Sequence, residues 1–125
     1  MSKKIISTEN APAAIGPYSQ AVMHNDMLFC SGQIPVNPQT KEIPNDVVDQ
    51  ARQAMKNLGA VLEEAGMNYG NILKTTIFLT DMADFATVNQ IYAEYFTGDF
   101  PARATVQVAG LPLGVQVEIE AVAAL

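Results

Sequence analysis

Apolar residues recur at helical spacing through the middle of the chain, between Asp46 and Gly66. The members of this stripe are Val47, Val48, Ala51, Ala54, Met55, Leu58, Val61, Leu62 and Ala65. Asp46 is a suitable N-cap, and Gly66 can end a helix in the left-handed conformation that costs a glycine little. The pattern predicts an amphipathic helix whose apolar stripe belongs to the core.

A second helical pattern follows after residue 84. Its apolar positions are Phe85, Val88, Ile91, Tyr92, Tyr95 and Phe96. This spacing predicts another amphipathic helix, with Asp84 as its N-cap.

The remaining apolar segments have the composition or the alternation of strands. They cover residues 3–6, 19–24, 27–31, 72–80, 103–108 and 115–123. Asn25 and Asp26 connect the second and third of these as a tight hairpin turn. The resulting order, β-β-β-α-β-α-β-β, predicts one α+β domain over residues 1–125, a two-layer fold with a mixed six-stranded sheet and both helices on one face.

The last two strands are predicted to pair as a hairpin. A connection that is symmetric about Leu111 and Pro112 would bring Thr105 opposite Glu118 and Arg103 opposite Glu120. The polar face would then carry Arg103, Thr105, Glu118 and Glu120, and the helices would cover Ala104, Val106, Val117 and Ile119. Taken alone, this hairpin is more typical of a solvated face with surface ion pairs than of a site.

In the first hairpin, Tyr18 and Ser31 are predicted to share one face, and Leu28 and Cys30 the other. Cys30 is therefore predicted to be a small buried side chain and not a reactive thiol. Tyr18 and Ser31 are each compatible with ordinary structural roles, but glycines at positions 16 and 32 allow another backbone or a ligand to approach closely.

Composition narrows the classes of function. Seven Lys and Arg against thirteen Asp and Glu give a net charge of −6, which disfavours nucleic acid and anionic membranes as partners. No apolar run approaches the length of a membrane span, so we expect a cytoplasmic protein. With Cys30 as the single cysteine and His24 as the single histidine, neither a Cys/His metal site nor a classical Ser/His or Cys/His nucleophile is expected.

Three sequence blocks, in this order along the chain, resemble the RidA (YjgF) family of reactive-intermediate deaminases. They are Ala14-Ile15-Gly16-Pro17-Tyr18-Ser19-Gln20-Ala21, Ser31-Gly32-Gln33-Ile34, and Pro101-Ala102-Arg103 through Val117-Glu118-Ile119. The resemblance implies a chorismate-mutase-like homotrimer with a cleft between each pair of neighbouring subunits. It also implies hydrolysis of 2-aminoacrylate and related 2-imino acids to 2-oxo acids and ammonia, without a cofactor or a metal.

The resemblance also suggests roles for individual residues. Arg103 would hold the substrate carboxylate, and Glu118 would activate water. Thr105 would contact the bound carboxylate or oxo group through its backbone or hydroxyl. The opposite cleft wall would contain Tyr18, Ser31 and Gly32, together with Asn89, which is also compatible with an exposed helix position.

The chain departs from the family pattern at Thr105, because many relatives have cysteine two residues after the arginine. A thiol-based redox role at that position is therefore excluded. Two alternatives remain open, namely a non-catalytic protein that binds 2-oxo acids through Arg103 and a single-stranded RNA endoribonuclease or translation inhibitor. The acidic balance and the absence of tryptophan disfavour the RNA alternative.

Overall fold

The computed structural model describes residues 3–125, so the first two residues of the predicted domain lie outside the described residues. Six strands and two α-helices follow one another in the predicted order. Their bounds are β1 Lys4–Ile6, β2 Ala21–His24, β3 Met27–Gln33, α1 Val47–Glu64, β4 Ile72–Leu79, α2 Phe85–Ala93, β5 Ala102–Gln107 and β6 Val117–Ala124. The prediction of a mixed six-stranded sheet with two helices is confirmed.

The strand order in the sheet is β1-β2-β3-β6-β4-β5. Strand β4 lies between the last two strands, pairing parallel with β5 and antiparallel with β6. The predicted hairpin of the last two strands is therefore wrong. The segment between them passes the end of β4, where Leu79 O accepts a hydrogen bond from Val108 N and Thr80 N donates to Gln116 O.

Helix α1 has the predicted ends, and it buries the predicted stripe from Ala51 to Leu62 while Val47, Val48 and Ala65 are partly buried. Asp46 is its N-cap, because the Asp46 side chain accepts a hydrogen bond from Asp49 N, and Gly66 follows with φ +78°. Leu58 and Leu62 are fully buried against the sheet, which is worth about 1.5–3 kcal/mol of gross hydrophobic stabilisation for each side chain.

Helix α2 begins at the predicted place, but Asp84 makes no capping hydrogen bond. The preceding 3₁₀ turn, Met82–Asp84, places Asp84 in a helical conformation, and Asp81 caps that turn by accepting from Ala83 N. The helix is fixed to β4 by a 2.7 Å hydrogen bond between the Thr75 and Tyr92 hydroxyl groups.

Both helices cover one side of the sheet, which we call the helix face. It carries Thr75, Ile77 and Ile119, all buried. The opposite side, the open face, carries Thr76, Phe78 and Glu118. Among residues 3–125, no helix is both long and apolar enough to cross a membrane.

The register corrects the predicted faces of β5. Arg103 pairs with Thr75 and Thr105 with Ile77, so both lie on the helix face. Ala104 and Val106 lie on the open face and are exposed, Val106 by 40%. Val117 and Ile119 are buried beneath the helices as predicted.

Candidate functional site

Arg103 is held on the helix face of β5 by residues of α2. Its Nη1 donates a 2.6 Å hydrogen bond to Asn89 Oδ1. The guanidinium carbon lies 5.3 Å from the ring centroid of Tyr92 and 5.5 Å from that of Phe85, within the range of cation–π attraction. Phe85, Asn89 and Tyr92 occupy one helical face at spacings of four and three, so α2 orients the guanidinium plane.

A cavity of about 410 Å³ opens beside this guanidinium. Phe100 and Pro101 line it together with Arg103, Asn89 and Tyr92. Among residues 3–125, no carboxylate oxygen lies within 4.0 Å of an Arg103 nitrogen, whereas Arg52 is paired with Glu94 at 2.6 Å. Arg103 therefore offers a positioned, uncompensated cation to an anionic ligand.

Thr105 follows Arg103 along the same side of β5. Its hydroxyl oxygen is buried and has no hydrogen-bond partner among the described residues. A buried unpaired hydroxyl is costly, and this one lies on the helix face beside Ile77. We call Arg103, Asn89 and Thr105 the cationic half-site.

The second group of predicted residues lies on the other side of the protein. Tyr18, Ser31, Gly32 and Glu118 line a cavity of about 400 Å³ together with Ile15, Ile34, Pro112 and Glu120. The Ser31 hydroxyl donates a 2.6 Å hydrogen bond to Ser19 O, which ties the third strand to the loop that carries Tyr18. We call Tyr18, Ser31, Gly32 and Glu118 the acidic half-site.

Glu118 is half-buried in this cavity, and burial raises its pKa above the ordinary glutamate value. The negative charge of Glu120 is the second cause of the increase. No side chain among residues 3–125 donates a hydrogen bond to the Glu118 carboxylate. A carboxylate with these surroundings is a stronger base than an exposed one.

Gly32 lies directly against this carboxylate. A Cβ added at position 32 would overlap Glu118 Oε2 and Cδ, so only glycine leaves the carboxyl group its place. The backbone of Gly32 is not in the left-handed region, so the requirement for glycine comes from close approach and not from backbone strain.

The structure thus brings the predicted residues together in two sets on opposite faces of one sheet. Arg103 and Glu118 do not share a face within one chain, which corrects the prediction that both lie on the polar face of the last two strands. The reason is the strand order, because β4 separates β5 from β6. Arg103 lies beside Thr75 on the helix face, and Glu118 lies beside Phe78 on the open face.

Several lining residues were not predicted from the sequence. The sequence predicts Phe85 and Tyr92 only as apolar positions of the second amphipathic helix, although their rings lie against Arg103. The available signal was Asn89, a polar residue on the same helical face as these two aromatic rings. Ile15, Ile34 and Pro101 belong to the three blocks and Phe100 directly precedes the third, but no role was predicted for these four residues.

Two further sequence predictions concern features outside both half-sites, namely the Cys30 thiol and a metal site. Cys30 is buried as predicted, and burial raises the pKa of its thiol to about 12. Among residues 3–125, no group of three His, Cys, Asp or Glu side chains is arranged to hold a metal ion. Neither feature supplies a competing site.

Comparison with known proteins identifies the family. The family model described as Endoribonuclease L-PSP matches residues 8–125. The chain is 56% identical over 123 residues to a protein of Escherichia coli strain K12 named 2-iminobutanoate/2-iminopropanoate deaminase, covering 96% of each sequence. Its structure is similar to that of Escherichia coli TdcF with bound serine, with a TM-score of 0.95, 52% identity and 98% of each chain covered. It is also similar to the YjgF gene product of Escherichia coli, with a TM-score of 0.94, 56% identity, and 97% of this chain and 98% of that chain covered. The chain therefore belongs to the Endoribonuclease L-PSP family, which is the RidA (YjgF) family that its three sequence blocks resemble.

Proposed function

We propose that this protein is a hydrolytic deaminase that converts 2-aminoacrylate and related 2-imino acids to 2-oxo acids and ammonia. The observation that carries the proposal is the division of the chemistry between two half-sites. One offers a positioned guanidinium for a carboxylate, and the other offers a base in a partly desolvated cavity. The relative named as a 2-iminobutanoate/2-iminopropanoate deaminase supports the same substrate class.

The two half-sites complete each other when two copies meet. We propose a chorismate-mutase-like homotrimer in which the cationic half-site of one subunit faces the acidic half-site of the next. Large apolar side chains support such a contact, because Ile15 and Tyr18 are 72% and 51% exposed at the acidic half-site, and Phe100 is 61% exposed at the cationic one. A head-to-tail ring joins two different surfaces in this way at every interface.

Arg103 binds the substrate carboxylate in this mechanism. Its planar fork donates two parallel hydrogen bonds to a carboxylate and remains charged throughout the reaction. Asn89 occupies one Nη1 donor, and the rings of Phe85 and Tyr92 restrict the guanidinium plane. Thr105 lies next along the same side of β5 and contacts the same carboxylate or the product oxo group through its backbone.

Glu118 acts on water. The carboxylate accepts a proton from a water molecule whose oxygen adds to the imine carbon, which gives a tetrahedral carbinolamine. The imine reacts in its N-protonated form, so the carbinolamine is neutral. Protonated Glu118 then returns its proton to nitrogen, and the C–N bond breaks as the C=O bond forms. The hydroxyl proton passes to the Glu118 carboxylate, and the departing ammonia takes it up as ammonium. The raised pKa suits both steps, because the same group must first accept the proton and later release it.

Tyr18, Ser31 and Gly32 form the wall that positions the imine against Glu118. No cofactor is required, because a 2-imino acid already contains the activated C=N bond, and 2-aminoacrylate acquires it by tautomerisation, in which its methylene carbon gains a proton and its nitrogen loses one. RNA is a poor fit for this cleft, since Glu118 and Glu120 both line it and the chain has a net charge of −6.

The proposed function is tested by supplying 2-aminoacrylate continuously from a serine-dehydrating enzyme and following pyruvate and ammonia. We expect the protein to accelerate the release of both products over the uncatalysed rate at micromolar concentration or below. If release is not accelerated while 2-oxo acids still bind, the protein is a binder of these acids and the deaminase proposal is wrong.

Substitution of Gly32 by alanine is expected to lower kcat/KM by about 10²-fold, because the added methyl group displaces the Glu118 carboxylate and small misplacements of a reacting group cost about that much. Gly98→Ala is the matched control, since a Cβ there meets no atom within 4 Å. Steady-state kinetics of both variants, with thermal unfolding as a check of folding, measure the effect. Full activity in Gly32→Ala would contradict the position given to Glu118.

A further inference from the structure

A second cavity adjoins the acidic half-site and takes no part in the mechanism above. Its volume is about 180 Å³, and it shares Ile15, Tyr18, Gly32 and Ile34 with the cavity that contains Glu118. Beyond these shared residues, Val36 and Leu113 extend its apolar wall. We propose that this cavity is a subsite for the apolar side chain of 2-imino acids that are larger than 2-iminopropanoate, an inference that rests on the proposed function.

The direction of a bound substrate leads to this cavity. In a 2-imino acid the carboxylate and the side chain are attached to the same imine carbon. With the carboxylate on Arg103 of one subunit and the imine carbon against Glu118 of the next, the side chain continues into the subunit that carries Glu118. The apolar wall that begins at Ile15 and Ile34 lies on that side.

Several polar side chains of the cavity wall already have protein partners. Gln20 Nε2 donates to the carbonyl oxygens of Thr8, Ala11 and Pro12, and its Oε1 accepts from Thr8 N. The Lys41 ammonium donates to Pro38 O. Since these groups have protein partners and most of the other lining residues are apolar, the cavity favours an apolar occupant over a polar one.

The wall is also held in place by helix α1. The fully buried Asn57 side chain donates hydrogen bonds to Ile34 O at 2.9 Å and to Val36 O at 3.0 Å. A fixed wall and a volume several times the roughly 30 Å³ that one water molecule takes in the liquid suit a branched or thioether side chain of about four heavy atoms.

Two substitutions fill the cavity from different walls without touching either half-site. Val36→Phe adds volume at a residue that lines this cavity and neither of the two half-site cavities. Ala13→Leu adds volume from the facing loop. Ala14→Leu is the matched control, since Ala14 is next to Ala13 in the sequence but does not line this cavity. The substrates are imines formed in situ by an amino-acid oxidase from alanine and from leucine.

For both filling variants, we expect kcat/KM for the leucine-derived imine to fall at least about tenfold and kcat/KM for the alanine-derived imine to change less than about twofold. Ala14→Leu is expected to change neither. An equal effect on the two imines, or no effect on the leucine-derived imine in either variant, would overturn the subsite.

Binding of the product acids separates this inference from the proposed function. We expect filling the cavity to weaken binding of 4-methyl-2-oxopentanoate at least about tenfold relative to pyruvate in calorimetric titrations. If the wild-type protein turns over neither imine, but filling the cavity still weakens binding of 4-methyl-2-oxopentanoate relative to pyruvate, the deaminase proposal is wrong and the subsite is supported. If the difference in binding is absent, the subsite is wrong whatever the turnover.

Discussion

Replacement of Arg103 by glutamine is expected to lower kcat/KM for 2-iminopropanoate by about a thousandfold. The substrate carboxylate would enter a cleft closed by two subunits without a partner charge, and leaving such a charge unpaired costs about 3–5 kcal/mol. Asn89, Phe85 and Tyr92 would remain in place, because they belong to α2 and not to the strand that carries the substitution. Steady-state turnover in the coupled assay measures the loss.

The guanidinium geometry makes Arg103→Lys a second informative variant. Lysine keeps the charge but loses the planar fork, so we expect activity between that of the glutamine variant and the wild type. Arg52→Gln is the matched control, since Arg52 is exposed and paired with Glu94 at 2.6 Å. Retention of activity within about tenfold of wild type by Arg103→Gln would contradict the role of Arg103 in binding the carboxylate, since its loss should cost far more.

Replacement of Glu118 by glutamine is expected to reduce kcat by about 10²–10⁴-fold and to leave the affinity for a 2-oxo acid nearly unchanged. Glutamine has the shape of glutamate but cannot accept the proton of the attacking water. Measurement of kcat together with the dissociation constant for pyruvate separates the two effects. Full activity with unchanged affinity would contradict the proposed role of Glu118.

The pH profile gives this prediction a second readout. Because burial and Glu120 raise the pKa of Glu118, the activity of the wild type should rise with pH through a value above that of an ordinary glutamate. Glu120→Gln removes the neighbouring negative charge, so the rising limb should move to lower pH while activity is retained. An unchanged profile in Glu120→Gln would show that the limb belongs to another group.

Local sequence patterns predicted most elements of the fold for identifiable physical reasons. Helix α1 was predicted with its ends because Asp46 and Gly66 act through local hydrogen bonding and backbone conformation. The burial of Cys30 followed from strand alternation in a hairpin whose turn is short. Asp84 failed as a cap because the 3₁₀ turn before α2 could not be distinguished from the helix itself.

The relation between the two half-sites could not be predicted from alternation. A period of two assigns residues of one strand to two faces, but which strand lies beside it is a long-range property. Insertion of β4 between β5 and β6 moved Arg103 to the helix face and left Glu118 on the open face. The residues named from the three sequence blocks nevertheless fall into the two half-sites, and the proposed function requires a cleft assembled from two chains.

The aromatic residues of α2 show a second limit of sequence patterns. Phe85 and Tyr92 have the spacing of a core stripe, and Tyr92 is buried. The same rings form the surface on which the Arg103 guanidinium lies. Because β5 is an edge strand, the helix face is open there. The apolar stripe of α2 therefore contributes side chains both to the core and to the cationic half-site.

The most direct test of the shared site is to mix two inactive variants. Arg103→Gln keeps an intact acidic half-site, and Glu118→Gln keeps an intact cationic one. After joint refolding of equal amounts, random assembly into a ring should restore turnover at roughly a quarter of the interfaces, where an intact Arg103 meets an intact Glu118 from the next chain. Recovery of about a quarter of the wild-type activity is the expected result. Activity no higher than that of the separate variants, in assemblies shown to contain both chains, would contradict a site built by two subunits.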